Sequence, residues 1–226
     1  MSYISVIGAG AWGTTLAGLL AGKGYDTVIW AIEDDVASEI NVSGKNSVYL
    51  PDVELPKSLR ATSNIAEAVS KARFILNVVP TQHTRSVMEQ ASPHMDKDVV
   101  VVSASKGIEN STYQTVSSII QNVTGKTVAV LSGPSFAAEV TKHLPTAVTL
   151  ASEDYTTGLM LQEIFNTDYF RVYTHHDTLG VELGGALKNV MAVASGISEG
   201  LGLGNSARSA LITRSLAEMS RRGNCM

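Results

Sequence analysis

The sequence predicts an α/β fold: a doubly wound, mainly parallel sheet followed by the start of an all-helical second domain. Three observations carry this. Short β-rich apolar runs recur, helical segments separate them, and no further strand candidate appears after about residue 177. Residues 3–7, 27–30, 74–79, 98–103, 128–131, 146–151 and 170–174 read as strands. Most are nearly unbroken apolar runs, the pattern of strands covered on both faces. Residues 14–23, 34–41, 65–70, 84–91 and 112–122 read as the intervening helices, which makes the repeating unit βαβ. Residues 42–59, with Gly44, Pro51 and Pro56, read as a surface loop whose length points to function.

Beyond Asp177, residues 177–199 and 206–221 have helical composition, with the glycine-rich stretch 200–204 between them. Asp177 is the expected N-cap, and Gly223 with Asn224 the expected stop. The expected domains are therefore residues 1–176 and 177–226. Two helices have few surfaces on which to bury their apolar faces, so this segment packs on the first domain, pairs with another chain, or begins a longer domain. A truncated beginning is the favoured expectation.

Composition bounds the partners. The chain has 226 residues, 44% of them hydrophobic, which is enough for a substantial core. Charged residues are 17%, the net charge is −4 and the pI about 5.7, so the basic surface that nucleic acid requires is lacking. The expected partner is a small molecule. A single cysteine, Cys225, excludes an internal disulfide framework, and the first residues lack the basic and apolar regions of a secretory signal. No apolar stretch approaches the roughly 20 residues of a membrane helix. The profile is that of a cytoplasmic enzyme.

The densest motif is Gly8-Ala9-Gly10-Ala11-Trp12-Gly13, a G-x-G-x-x-G turn directly after one strand and opening an apolar helix. In that context it is the fingerprint of a Rossmann-type dinucleotide site. Gly8 permits the tight turn, Gly10 lets backbone approach a pyrophosphate, and Gly13 allows close helix–strand contact. After the second strand comes Trp30-Ala31-Ile32-Glu33-Asp34-Asp35, with Lys45 the next cation. Glu33 suits the ribose hydroxyls of NAD, although acidic residues here also suit the first turn of a helix. Both readings stand at this point, and so do NAD and NADP.

Ligands of doubly wound sheets sit beyond the carboxyl ends of the strands. Pro80 to His83, Ser103 to Gly107, Ser132 to Phe136 and His175 to Asp177 follow strands in this way. Lys106, between serines and a glycine, suits a phosphate or is a solvated loop lysine. Gly133-Pro134-Ser135 opens a helix, with the Ser135 hydroxyl either capping it or binding a ligand. The five histidines lack metal-ligand spacing, so no metal site is expected, and His83, His175 and His176 read as packing or surface residues. Lys188 lies in Gly184-Gly-Ala-Leu-Lys-Asn-Val-Met191, a helical stretch almost free of charge. Desolvation there would lower its pKa toward proton exchange, whereas a snorkelling surface lysine is the bland alternative. Three-and-four spacing sets Glu182, Gly185, Lys188, Asn189 and Ala192 roughly on one side.

Taken together, the blocks resemble the bacterial sn-glycerol-3-phosphate dehydrogenase family over essentially the whole chain. They are Gly8 to Thr14, Val78-Val-Pro80, Ser105-Lys-Gly-Ile-Glu109, Leu131 to Glu139, Glu182 to Val190, and Gly200 to Arg214. The resemblance implies hydride transfer with NAD or NADP between sn-glycerol 3-phosphate and dihydroxyacetone phosphate, supplying glycerol phosphate for phospholipid synthesis. It implies that Ala11, Trp12, Pro80, Lys106 and Ala137 contact the dinucleotide. Lys106, Gly133 and Ser135 would hold the substrate phosphate, and Lys188 would exchange the proton. Tyr49 matches a tyrosine sometimes found beside the cofactor, and a homodimer is the expected assembly.

Two departures qualify the match. The family often carries Arg or His near the position of Ala31-Ile32, where it helps to read the adenosine phosphate. It also continues into a larger helical domain with a Gly-Leu-Gly-Asp-Leu motif and a Ser-Arg-Asn motif, and neither is present. This chain alone is therefore expected to bind dinucleotide and turn over slowly or not at all. The rival readings are another two-domain hydroxyacid or sugar-acid dehydrogenase and a catalytically silent dinucleotide-binding module.

Overall fold

The computed structural model describes residues 3–223. Eight strands form one sheet: β1 (Tyr3–Ile7), β2 (Thr27–Trp30), β3 (Arg60–Thr62), β4 (Ala72–Asn77), β5 (Val100–Ser103), β6 (Val128–Ser132), β7 (Thr146–Ala151) and β8 (Phe170–His175). Their order is β3-β2-β1-β4-β5-β6-β7-β8. The first six are parallel, β7 runs antiparallel to β6, and β8 is parallel to β7. The direction of winding reverses between β1 and β4, which opens a crevice at their carboxyl ends.

The strands alternate their side chains between two apolar layers. Ile4, Val6, Ile29, Phe74 and Leu76 pack toward α1 (Ala11–Gly22), α2 (Asp34–Ser43) and α7 (Tyr155–Phe165). Tyr3, Ile7, Val28, Trp30 and Ile75 pack toward α3 (Ile65–Val69), α4 (Thr81–Ala91) and α5 (Val116–Thr124). A side-chain period of two with both sets apolar explains why the strands read as continuous runs. Each fully buried Leu or Ile contributes about 1.5–3 kcal/mol.

Several boundaries differ from the sequence-based expectation. The fourth strand ends at Asn77 rather than Val79, because Ile7 is the last residue of β1 able to pair with it. Val78 still donates its N–H to the Ile7 carbonyl at 2.8 Å, and the chain then leaves the sheet. The helix expected over 112–122 starts at Val116, capped by the Thr115 hydroxyl. Thr112 is drawn instead to the buried Glu109 carboxylate, which also takes Arg85 Nη2 at 2.7 Å. Gly133-Pro134-Ser135 does not open a substantial helix: α6 is the single turn Ala137–Val140, and Ser135 Oγ bonds back to the Gly133 carbonyl. Strand β3 and helix α7 were not anticipated, β3 being three half-exposed or exposed residues with no apolar run.

After β8 the chain is helical, through α8 (Thr178–Gly200) and α9 (Gly204–Gly223), and α8 begins at the predicted cap, Asp177 accepting from the Gly180 N–H at 2.8 Å. The expected stop at Asn224, like Cys225, lies outside the described residues. No described helix is long and apolar enough to cross a membrane. Helix α8 packs its first turns on the sheet. Gly185 sits where a β-carbon would lie 2.4 Å from Ser132 Oγ, so a side chain there would have to displace that hydroxyl from the end of β6. Glu182, 2% exposed, accepts from Ser117 N at 2.8 Å and from Ser117 Oγ at 2.5 Å, tying α8 to the first turn of α5. The predicted polar side of α8 therefore divides: Glu182 and Gly185 are buried packing residues, while Asn189 and Ala192 are exposed. Replacement Glu182→Ala removes two hydrogen bonds to a buried charged group and should lower stability by about 2–3 kcal/mol. Urea unfolding measures it, and a change below about 0.5 kcal/mol, the range of ordinary surface substitutions, would refute the anchoring role.

Candidate active site

The glycine turn follows β1 and starts α1 at Ala11. Gly8 has φ 110°, and a β-carbon on Gly13 would lie 1.9 Å from the Gly8 carbonyl oxygen, so strand and helix meet with no side chain between them. Gly10 stands at the N-cap position without a side-chain cap, and a β-carbon there would meet nothing within 4 Å. The first-turn N–H groups consequently face open space, as an anion site at a helix N-terminus requires.

That space is a cavity of about 540 Å³. Gly8, Gly10, Ala11, Trp12 and Gly13 line one part; Glu33, Tyr49 and Pro80 line another. Pro80 is the N-cap residue of α4, so the chain leaving β4 forms the wall opposite the turn. The residues present fit an extended dinucleotide: exposed backbone donors at one end, apolar walls, and a carboxylate at the other end. Val78, Val79, Ile32 and His83 also line the cavity. The sequence reading had left His83 among packing and surface residues, and its place just past a strand end was the available signal.

Glu33 is the N-cap residue of α2, yet its side chain makes no cap bond and instead accepts from Tyr49 Oη at 2.7 Å. Asp34 and Asp35 occupy the first turn of α2, where the helix dipole favours them. The long loop carrying Tyr49 is pinned to the glycine turn by Asn46, whose Nδ2 donates to the Ala9 carbonyl and to Thr14 Oγ1, both at 2.8 Å. Nothing in the sequence reading had marked Asn46, which is 1% exposed.

Lys106 connects this cavity to a second cluster. Its ammonium lies 5.5 Å from the centroid of the Trp12 ring, and its Cγ would be 3.7 Å from a β-carbon on Gly185. Lys188, on the next turn of α8, donates to the Gly133 carbonyl at 2.6 Å. Burial lowers the pKa of Lys106 to about 8, with repulsion from Lys188 adding to it. Desolvation also lowers that of Lys188. The structure thus brings Trp12, Lys106, Gly133 and Lys188 together. Ser135 turns back on Gly133, and Ala137, opening α6, does not line the dinucleotide cavity.

A glycine turn at the winding reversal, an uncapped helix N-terminus and desolvated lysines at the strand ends define a Rossmann-type dinucleotide-dependent oxidoreductase. Residues 3–158 match the family profile described as NAD-dependent glycerol-3-phosphate dehydrogenase N-terminus, and residues 177–226 that described as its C-terminus. The chain belongs to the NAD-dependent glycerol-3-phosphate dehydrogenase family. It is 50% identical over 227 residues to glycerol-3-phosphate dehydrogenase [NAD(P)+] of Citrifermentans bemidjiense, covering 99% of this chain and 68% of the relative. Glycerol-3-phosphate dehydrogenase from Coxiella burnetii superposes with TM-score 0.93 at 38% identity, covering 99% of this chain and 69% of that one. The Saccharomyces cerevisiae enzyme superposes with TM-score 0.90 at 31% identity, covering 99% and 70%. A UDP-D-ManNAc dehydrogenase from Pyrococcus horikoshii, with TM-score 0.68 and 16% identity over 85% of this chain and 51% of that one, shares the fold alone.

The lysine pair makes stability depend on pH. The folded pKa of Lys106, about 8, lies below the unfolded value of 10.5, so the unfolded chain holds the extra proton between them. The cost of burying the charge is complete below the folded pKa and fades as pH rises toward the unfolded one. Lys106→Met should therefore stabilise the protein near neutral pH, and the gain should shrink in alkaline buffer. Denaturation midpoints at about pH 7 and 9.5, either side of the folded pKa, test this; a gain equal at both would refute it.

Proposed function

We propose that this chain interconverts sn-glycerol 3-phosphate and dihydroxyacetone phosphate, with Lys188 as the proton-exchanging group. The observation that carries the reading is the junction of Lys106 between the Trp12 ring and the α8 helix that presents Lys188. This places a desolvated cation beside both the dinucleotide turn and the candidate acid–base group. In this reading residues 1–176 form the dinucleotide domain and residues 177–226 belong to the substrate domain.

When bound, the nicotinamide dinucleotide supplies or accepts a hydride at C2 of the three-carbon phosphate. The chain supplies the rest. Gly8, Gly10 and Gly13 clear the path for the pyrophosphate, and the N–H groups of Ala11 and Trp12 hold it. Glu33 with Tyr49 holds the adenosine end, and Pro80 gives apolar contact. Lys106, Gly133 and Ser135 bind the substrate phosphate, which returns to Lys106 the counter-charge that burial removes. Lys188 donates its proton to the carbonyl oxygen of dihydroxyacetone phosphate during reduction and takes it from the C2 hydroxyl in the reverse direction. Its lowered pKa, caused by desolvation, suits exchange closer to neutral pH than an ordinary lysine allows. A cytoplasmic homodimer supplying glycerol phosphate to phospholipid synthesis is the cellular setting that fits this chemistry.

Oxidation of NADH or NADPH dependent on dihydroxyacetone phosphate is the direct assay. Lys188→Ala should lower turnover about 10³-fold, within the range for a positioned general acid. Its dinucleotide dissociation constant should stay within about threefold, since well-separated contacts act independently. Unchanged turnover would remove Lys188 from the mechanism, and dinucleotide binding with no dihydroxyacetone phosphate-dependent oxidation in the unaltered chain would favour a silent binding module.

A further inference from the structure

We infer that Glu33, held in place by Tyr49, makes the cavity select NAD over NADP. The inference rests on the dinucleotide reading above and concerns only its adenosine end.

Four observations carry it. First, the chain leaving β2 points no cation at this end: Ala31 is buried, Ile32 is 71% exposed, and among the described lining residues none is Lys or Arg. Second, the Glu33 carboxylate is fixed. Tyr49 Oη donates to it at 2.7 Å, the Tyr49 N–H donates to Asn46 Oδ1 at 3.2 Å, and Asn46 is bonded to the glycine turn itself. Third, an ionised carboxylate only accepts hydrogen bonds and has about four lone-pair directions. Tyr49 uses one, and the remainder match a pair of ribose hydroxyl donors. A 2′-phosphate also only accepts, so it would face Glu33 without a shared proton and with the same sign of charge. Fourth, nearby charges reinforce the exclusion. Asp34 and Asp35 follow directly in the first turn of α2, and Lys45 acts electrostatically on Glu39.

The α2 N-terminus works in the opposite direction, because a helix dipole attracts anions. Its effect equals about half an elementary charge. Three carboxylates at the same end outweigh it, and the acid wins. Tyr49 is accordingly a positioning residue, acting through Glu33.

Isothermal titration calorimetry of the 226-residue chain with NADH and with NADPH tests the inference without requiring turnover. NADH should bind about 100-fold more tightly, as expected for an excluded dianion facing fixed carboxylates. Glu33→Gln should reduce that ratio about tenfold, chiefly by improving NADPH binding. Ile32→Arg, at an exposed position of the cavity wall, should improve NADPH affinity more than it changes NADH affinity. Equal affinities in the unaltered chain, or a ratio that Glu33→Gln leaves unchanged, would overturn the selection while leaving the dinucleotide site intact. Binding of neither nucleotide would overturn the dinucleotide reading and this inference with it.

Discussion

The contact between Gly8 and Gly13 is the constraint from which the site is built. With the Gly8 carbonyl occupying the place of a β-carbon on Gly13, α1 can begin only against the end of β1. That position points the uncapped first turn into the crevice where the sheet reverses its winding. It also leaves the Ala9 carbonyl available to Asn46, so the loop after α2 is fastened to the turn rather than free in solvent. Trp12, in the first turn of the same helix, carries the arrangement across to Lys106. One close backbone approach thus orients the anion site, the loop and the first lysine.

The second lysine depends on a different approach. Gly185 lets α8 lie on the end of β6, and buried Glu182 holds it there through Ser117. The result is two cations sharing a partly desolvated corner, with no carboxylate among the described residues bonded to either and the Gly133 carbonyl accepting from Lys188. Such an arrangement is unfavourable in the empty protein and becomes favourable when an anion enters. Electrostatic strain held in advance by a rigid frame is the usual form of catalytic preorganisation.

Much of this was legible in the sequence, for physical reasons. Strands covered on both faces announce themselves as apolar runs, so β1, β2 and β7 were read with the bounds they have. The glycine turn was legible because a steric requirement leaves few residue choices. Lys188 stood out because charge is rare in its helical stretch. What escaped was whatever depends on partners distant in the chain. Strand β3 exists because β2 offers it a ladder, and Asn46 matters only through Ala9 and Thr14. Thr112 is drawn out of a helix by Glu109, which itself answers to Arg85. Glu182 resembled a member of a cleft-lining stripe until its partner Ser117 was located 65 positions away.

The chain contains two tryptophans, and both Trp12 and Trp30 line the dinucleotide cavity. Its indole emission therefore comes entirely from the walls of one site. A reduced nicotinamide coenzyme absorbs in the region where indole emits, so occupancy of the cavity should quench nearly the whole signal rather than a fraction of it. The protein carries its own optical gauge of cofactor loading, with no background from indoles elsewhere in the molecule.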